Sequence, residues 1–265
     1  MNPRLLITGA GGFVCSNFIP TLLSAGWDIV AVDRVFDAVL VKEWSAVWGS
    51  RVEVVESDQF PDVQVDGLVH GAAVTASPEE NGQTPEENLR ANLEPLLAAL
   101  EWAARHQVRR ALFMSSSAVY RQTASGVVDE TLPTSPHGLY AVAKQTMESL
   151  IETLRDLYQR DLAVLRLSNI YGLNERARVS RPRISLVGRM VTEALETGTV
   201  SAYQDSLRRD WTFAPDLGVV IDRLMRLEKL QHALYNTAAE HVLTQRDIAD
   251  AIHTVLPDVK VLLRV

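Results

Sequence analysis

The 265 residues include a single cysteine, Cys15, so no internal disulfide can form and no cysteine-based metal site can be assembled. That scarcity argues against a stapled, secreted domain. Positive charge is also in deficit: 26 Lys and Arg against 33 Asp and Glu leave a net charge of −7. A general nucleic-acid binder is therefore not expected, because phosphate backbones call for a basic face. No apolar run approaches the length of a membrane span. A strand-like run opens at Arg4, which leaves no room for a leader peptide ahead of it. Internal repeats and low-complexity tracts are absent. What remains is ordinary globular composition, 47% hydrophobic and 22% charged, long enough to bury a core without staples. The expectation is a soluble, acidic, cytoplasmic protein with no metal centre, no nucleic-acid partner and no membrane association.

Strand-like runs recur at 4–8, 28–33, 51–55, 65–70, 108–115 and 163–168. Most are near-continuous apolar stretches such as Ile29-Val30-Ala31-Val32, the pattern of strands covered on both faces. Helical periodicity lies between them. It is clearest over 86–106 (Leu89, Leu93, Leu96, Leu97, Leu100, Ala104) and over 138–160 (Ala143, Met147, Leu150, Ile151, Leu154, Leu157). Strands alternating with helices imply an α/β fold, a doubly wound parallel sheet. Past residue 170 the rhythm changes. An Arg-rich polar segment at 174–183 precedes helix-like stretches at 184–197, 216–230 and 244–256, with short strands expected at 233–237 and 259–264. This divides the chain into a main domain over 1–170 and a smaller substrate-binding lobe over 171–265, interleaved with the sheet.

The first strand runs into Thr8-Gly9-Ala10-Gly11-Gly12-Phe13-Val14-Cys15 and then into helix-like sequence. Such a turn lets backbone N–H groups approach a pyrophosphate at a helix N-terminus, where the dipole favours negative charge. The sheet is accordingly expected to be of Rossmann type, with Gly9, Gly11, Gly12, Phe13 and Val14 against a dinucleotide. Asp33 closes the second strand, where its carboxylate can accept from the adenosine ribose. It would repel a 2′-phosphate, favouring NAD, whereas the adjacent Arg34 would attract one, leaving NADP as the alternative. Asp58 reads as an adenine contact or a strand-end turn residue. His70-Gly71-Ala72-Ala73 ends the fourth strand in small residues, so Ala72 and Ala73 can lie under the cofactor, with His70 packed as a structural residue. Two features resist the pattern. Cys15 stands where the third glycine of the motif falls, with an adjusted helix and an inert, packed thiol expected. Pro20 falls inside the helix, where it should kink it or cost roughly 3 kcal/mol.

Tyr140 and Lys144 stand four residues apart on one helical face. A nearby ammonium stabilises a phenolate, so the pair suits a tyrosine that takes a proton from a substrate hydroxyl while hydride leaves the same carbon. Upstream, the fifth strand ends in Ser115-Ser116-Ser117-Ala118-Val119-Tyr120. A serine there points into the ligand crevice and can hydrogen-bond the reacting oxygen.

From Leu6 to about Ile252 the chain resembles the extended short-chain dehydrogenase/reductases, in particular the NAD-dependent sugar epimerase/dehydratase family. The resemblance rests on the glycine turn, His70-Gly71-Ala72-Ala73, Asn92, the serine strand and the Tyr140/Lys144 pair. It continues through Arg166 to Gly172, Arg209-Asp210-Trp211-Thr212-Phe213 and Tyr235-Asn236-Thr237. It implies Ser116 as the catalytic serine, with Ser115 and Ser117 as near alternatives, and Asn92 on the cofactor side. It further implies Ser117, Asn169 and Arg209 against substrate, Arg209 on a nucleotide-sugar phosphate, and a homodimer built on the helices at 86–106 and 138–160. Arg176, Arg178, Arg181 and Arg183 form a cluster suited to phosphate or carboxylate, with Arg178 taken as a substrate contact, or else a solvated or subunit-contact surface.

Departures from the family pattern narrow the chemistry. The places of the dehydratases' Asp-Glu pair hold Ser117 and Ala118, so elimination of water lacks its acid and base. No cysteine follows the catalytic serine, as it does in enzymes that invert two carbons. Plain hydride chemistry remains: epimerisation through a transient ketone, or one-way dehydrogenation of a small sugar, sugar acid or polyol. A dinucleotide sensor without turnover is the alternative of another class. Sugar-nucleotide members of the family usually continue into a longer C-terminal lobe, so the short stretch after 256 weighs against a nucleotide sugar and towards a free sugar, sugar acid or polyol.

Overall fold

A computed structural model describes residues 2–120 and 127–264. In chain order its strands are β1 (Arg4–Thr8), β2 (Asp28–Asp33), β3 (Val52–Glu56), β4 (Gly67–His70), β5 (Arg110–Ser116) and β6 (Asp161–Leu167). They continue as β7 (Asn169–Tyr171), β8 (Thr199–Tyr203), β9 (Arg209–Phe213), β10 (Leu234–Thr237), β11 (Val242–Leu243) and β12 (Lys260–Arg264). The helices are α1 (Phe13–Ser24), α2 (Ala38–Trp48), α3 (Pro78–Asn81), α4 (Pro85–Arg105), α5 (Leu139–Tyr158), α6 (Leu186–Thr197), α7 (Leu217–Arg226) and α8 (Gln245–Val255).

Seven strands form one sheet in the order β10-β6-β5-β4-β1-β2-β3, with every pairing parallel. Alternation along each strand divides its side chains between two cores. Leu5, Ile7, Ile29 and Ala31 face α1, α2 and α7, while Leu6, Val30 and Val32 face α4 and α5. Burial on both faces is why these strands read as unbroken apolar runs. The chain lays β1 to β3 outward in one direction and returns with β4 on the other side of β1, so the strand order reverses between β1 and β4. Their carboxyl ends open a crevice at that point, where ligands of doubly wound sheets bind.

Local signals agree with these elements. Thr84 and Glu87 form a reciprocal capping box at the start of α4, with Pro85 as its first residue, and Thr244 and Asp247 do the same for α8. The helix α1 continues through Pro20 without interruption. Only one main-chain hydrogen bond is forfeited there, and α7 packs against α1 so closely that a Cβ on Gly218 would stand 2.6 Å from Thr21. The fully buried Arg110 donates to the carbonyls of Leu224, Met225 and Leu227 and pairs with Asp161, tying the end of α7 to the sheet.

Three expectations change. The buried face of α4 is Asn88, Asn92, Leu96, Ala99, Trp102 and Ala103, and of the anticipated stripe only Leu96 is fully buried. Leu97 is exposed and Leu89, Leu93 and Leu100 lie half-buried beside that face. Leu157 of α5 is likewise exposed. Short strands β7, β8, β9 and β11, not anticipated, pair as β11-β9-β7 and β12-β8 and carry a third core with α6 and α8, around Met190, Val200, Trp211 and Ile252. Because β10 pairs with β6, the chain returns to the main sheet between parts of this smaller unit.

Candidate active site

The glycine turn sits at the carboxyl end of β1. Gly9 has φ +66°, and a Cβ there would stand 2.6 Å from the Ala72 nitrogen, so only glycine lets the turn lie against the end of β4. Gly12 is the N-cap of α1, and no side chain caps that helix end. Asp33 reaches the turn from β2, accepting from the N–H groups of Gly11 at 3.0 Å and Arg34 at 2.7 Å. Its carboxyl lies above the usual carboxylate range because it is buried, although those two N–H groups and the charges of Arg34 and Arg178 pull the other way. The turn, Phe13, Val14, Asp33, Arg34 and Ala72 are thus brought together, with Ala73 next along the strand end. Asp58 is exposed in the turn after β3. Asn92 lies beneath the segment after β4, where its amide accepts from the Val74 N–H at 3.0 Å and donates to the Val74 and Asn88 carbonyls. Its hydrogen-bonding capacity goes to shaping that segment.

Cys15 takes space that Gly71 leaves open. A Cβ on Gly71 would stand 2.3 Å from the Cys15 sulfur. The helix therefore keeps its close approach to the strand with the small residue on the opposite side. Burial, together with the Asp33 charge, pushes the Cys15 thiol far up, so it is protonated and inert. Gly71→Ala should lower stability by about 1–3 kcal/mol through overpacking. Adding Cys15→Gly should restore most of that loss in urea unfolding, and strictly additive effects would show that the two positions do not share this space. His70, fully buried and 2.9 Å from the Thr8 hydroxyl, is held neutral, its pKa lowered to about 3 by desolvation and the Lys144 charge.

The three serines at the end of β5 separate cleanly. Ser115 is buried and donates to Glu148 at 2.5 Å. Ser116 is half-buried and accepts from the Ala118 N–H at 3.2 Å, and its hydroxyl favours the Tyr140 phenolate. Ser117 is half-buried in the turn that follows. From the first turns of α5, the Lys144 Nζ lies 5.8 Å from the Tyr140 ring centre and donates to the Met114 carbonyl at 2.6 Å. Burial lowers its pKa to about 8, against the charge of Glu148. The phenol departs from expectation. Desolvation raises its pKa, and the groups that oppose this are Ser116 and Arg181, with Lys144 engaged elsewhere on the Met114 carbonyl. At neutral pH Tyr140 thus carries its proton.

Beneath these groups runs a buried polar chain that the motifs do not reveal. Glu148 takes the Ser115 hydroxyl and a bidentate grip from Arg166, which also donates to the Tyr120 hydroxyl at 2.5 Å. That hydroxyl in turn donates to Asn236 on β10. A sign of this chain was present in the sequence. An arginine inside the apolar run Val164-Leu165-Arg166-Leu167 needs a buried counter-charge, and Glu148 lies one helical turn beyond Lys144.

On the substrate side, Asn169 donates to the Asp210 carbonyl at 2.9 Å and so joins β7 to β9. Arg209 is exposed and lines a cavity of about 340 Å³ with Tyr203, Ser206, Trp211 and Gln245 among its walls. The Trp211 Nε1 is buried without a hydrogen-bond partner among the described residues. Arg178 lies elsewhere, donating to the Gly11 carbonyl at 2.5 Å on the glycine turn. Arg176 and Arg183 form exposed ion pairs with Asp37 and Glu80.

Comparison with known proteins agrees with this architecture. The profile of the NAD dependent epimerase/dehydratase family matches residues 5–238. A dTDP-glucose 4,6-dehydratase of Streptomyces niveus is 25% identical over 94% of this chain and 76% of its own length. A UDP-glucose 4-epimerase of Mycolicibacterium smegmatis is 26% identical over 84% and 72%. In fold, the chain superposes with a TM-score of 0.86 on a UDP-glucose-4-epimerase of Stenotrophomonas maltophila solved with bound NAD and formylated UDP-arabinopyranose. That pair is 21% identical, covering 99% of this chain and 85% of the other. Strand order, glycine turn, the Ser116/Tyr140/Lys144 grouping and the profile match over most of its length make this chain a member of the NAD dependent epimerase/dehydratase family.

Proposed function

We propose that the protein is an NAD-dependent epimerase that inverts a hydroxyl-bearing carbon of a sugar, nucleotide-linked, through a transient ketone. The observation that carries this reading is the grouping of Ser116, Tyr140 and Lys144 beside the glycine turn, with Ser117 and Ala118 where elimination would need carboxyl groups. The turn fits a dinucleotide: Gly9 permits the close approach to Ala72, and the uncapped start of α1 favours a diphosphate. NAD supplies the hydride acceptor that also returns what it takes. Asp33 favours NAD over NADP, since a 2′-phosphate would meet its carboxylate. Tyr140 exchanges a proton with the substrate oxygen, Ser116 hydrogen-bonds the same oxygen, and Lys144 supplies positive charge from its seat on the Met114 carbonyl. Gly9, Gly11, Gly12, Phe13, Val14, Ala72 and Ala73 form the cofactor's bed, with Asn92 shaping its rim. In the smaller lobe, Arg209 and the Trp211 N–H supply donors suited to a phosphate or a base, and the family resemblance assigns Asn169 to the substrate side.

An epimerase retains its dinucleotide, and a one-way dehydrogenase exchanges it. The purified protein should therefore carry bound NAD and convert one member of a panel of UDP-, dTDP- and GDP-sugars to its epimer without net NADH. Stoichiometric NADH from a free sugar or sugar acid would point to the dehydrogenase instead, a reading that the modest cavity favours. Tight NAD binding with no turnover of any member would point to a sensor.

No helix among the described residues is long and apolar enough to cross a membrane. A cytoplasmic setting is inferred from the lone, buried, unpaired Cys15. The exposed Leu97 on α4 and Val142 on α5 support a homodimer through these two helices, which light scattering at micromolar concentration would test.

A further inference from the structure

The Arg-rich segment at 174–183 is neither a solvated tail nor part of the cavity around Arg209. It turns back as a short hairpin, with Arg178 and Arg181 exchanging both main-chain hydrogen bonds at 2.9 Å, and it lies across the crevice between β1 and β4. Its tip is docked on the segment after β4, where the Thr75 and Ala76 N–H groups donate to the Ser180 carbonyl. Glu175, with 3% of its side chain exposed, anchors the base by accepting from the Ser185 N–H and hydroxyl and pairing with Arg181.

The two guanidinium groups straddle Gly12, the N-cap of α1. Arg178 donates to the Gly11 carbonyl on the Asp33 side. Arg181 lies 4.4 Å over the ring of Phe13 on the Tyr140 side, close enough for its charge to favour the Tyr140 phenolate. Its Nη2 is held by Glu175, while its Nη1 is buried with no hydrogen-bond partner among the described residues. A buried N–H of a cation without an acceptor is costly, and the arrangement calls for an anion. Two planar cations beside an uncapped helix N-terminus supply more positive charge and more donors than a single carboxylate needs, and suit a diphosphate.

We propose that Arg178 and Arg181 clamp the diphosphate of the dinucleotide against the start of α1, and that the hairpin thereby slows its release. This rests on the cofactor reading above and would explain how NAD stays in place through a turnover. The retaining contacts at the rim, Arg176 with Asp37 and Arg183 with Glu80, are exposed pairs of little strength, so the hairpin can still open to admit the ligand.

The test is calorimetric titration of the protein, freed of endogenous nucleotide, with ADP-ribose, ADP and adenosine. Arg181→Gln should weaken ADP-ribose and ADP by roughly ten- to a hundredfold, the loss of a charge-assisted hydrogen bond, with adenosine changed less than about threefold. Arg178→Gln should act the same way, and both should flatten the salt dependence of ADP binding. Arg246→Gln, an exposed arginine on α8 away from the hairpin, should leave all three ligands nearly unaffected. Arg181→Lys keeps the charge and should retain part of the affinity, which guards against a glutamine variant that misfolds. Equal losses for adenosine and ADP-ribose would overturn the clamp by showing a deformed turn. Unchanged ADP-ribose binding with a raised KM for the sugar would overturn it in favour of a substrate role. No binding of ADP-ribose by the wild type would instead sink the cofactor reading itself, whereas a failed sugar panel would leave the clamp standing.

Discussion

Tyr140→Phe is expected to lower kcat by roughly 10²- to 10⁴-fold, the usual contribution of a positioned acid–base group, with dinucleotide affinity changed little. The ring remains in place, and only the hydroxyl, whose phenolate form Ser116 favours, is lost. Since burial favours the protonated phenol, Tyr140 must first shed that proton before it can take one from the substrate hydroxyl, and it returns the proton to the ketone oxygen in the second half-reaction. Lys144→Ala should harm more than the rate. Its ammonium, with a pKa near 8, is the cation one turn along α5 and is anchored on β5 through Met114. If that charge is needed, kcat should fall as the pH rises through about 8 and Lys144 loses its proton. Stability should move the opposite way. A buried lysine whose pKa is lowered binds fewer protons folded than unfolded, so unfolding becomes harder from about pH 8 up to the unfolded value. Steady-state kinetics on a confirmed substrate decide the matter. Near-native turnover in Tyr140→Phe would remove this residue from the chemistry.

The second large effect concerns stability. Glu148 and Arg166, with 7% and 5% of their side chains exposed, hold each other and also Ser115 and Tyr120. Glu148→Leu leaves a buried guanidinium without a counter-charge, a loss of about 3–5 kcal/mol. For a chain of this size that is a fall in Tm on the order of 10 °C. The pair Glu148→Leu with Arg166→Met should recover much of the stability, since the desolvation of both charges is then removed. Activity should not recover with it, because Glu148 also acts on Lys144 and its partner Ser115 adjoins Ser116. A single variant that unfolds within about 1 kcal/mol of wild type would show that water or a neighbouring group compensates the charge.

Much of the site was legible in order along the chain, since its main parts are local. Gly9 to Gly12 must follow β1 for the turn to form, Asp33 must close β2, and Tyr140 and Lys144 must be four apart to share a face. What resisted reading depended on partners distant in sequence. Ser115 and Ser116 are chemically identical neighbours that alternate to opposite faces of β5, and which of them faces Glu148 on α5 depends on how that strand is set in the sheet. The inert, packed thiol of Cys15 is expected from the motif, but not how the helix keeps its close approach, because the compensating space lies at Gly71 just after β4. The short strands β7, β8 and β9 are each too brief and too mixed in polarity to show a period, and they are ordered by pairing, β7 with β9 and β8 with β12.

The sequence alone determined the parallel sheet and its crevice, because a strand buried on both faces must be apolar throughout and a helix must repeat its apolar face. It also determined which residue types stand at the crevice, through short-range spacing. Tertiary structure decided how those groups are charged and where the arginines go. Burial raises the phenol, lowers Lys144 and neutralises His70, and burial is set by neighbours that no local pattern names. The hairpin carrying Arg178 and Arg181 is polar and exposed by composition. Its contacts with Gly11 and Phe13 span more than 160 residues of chain, a distance that only the packed fold closes.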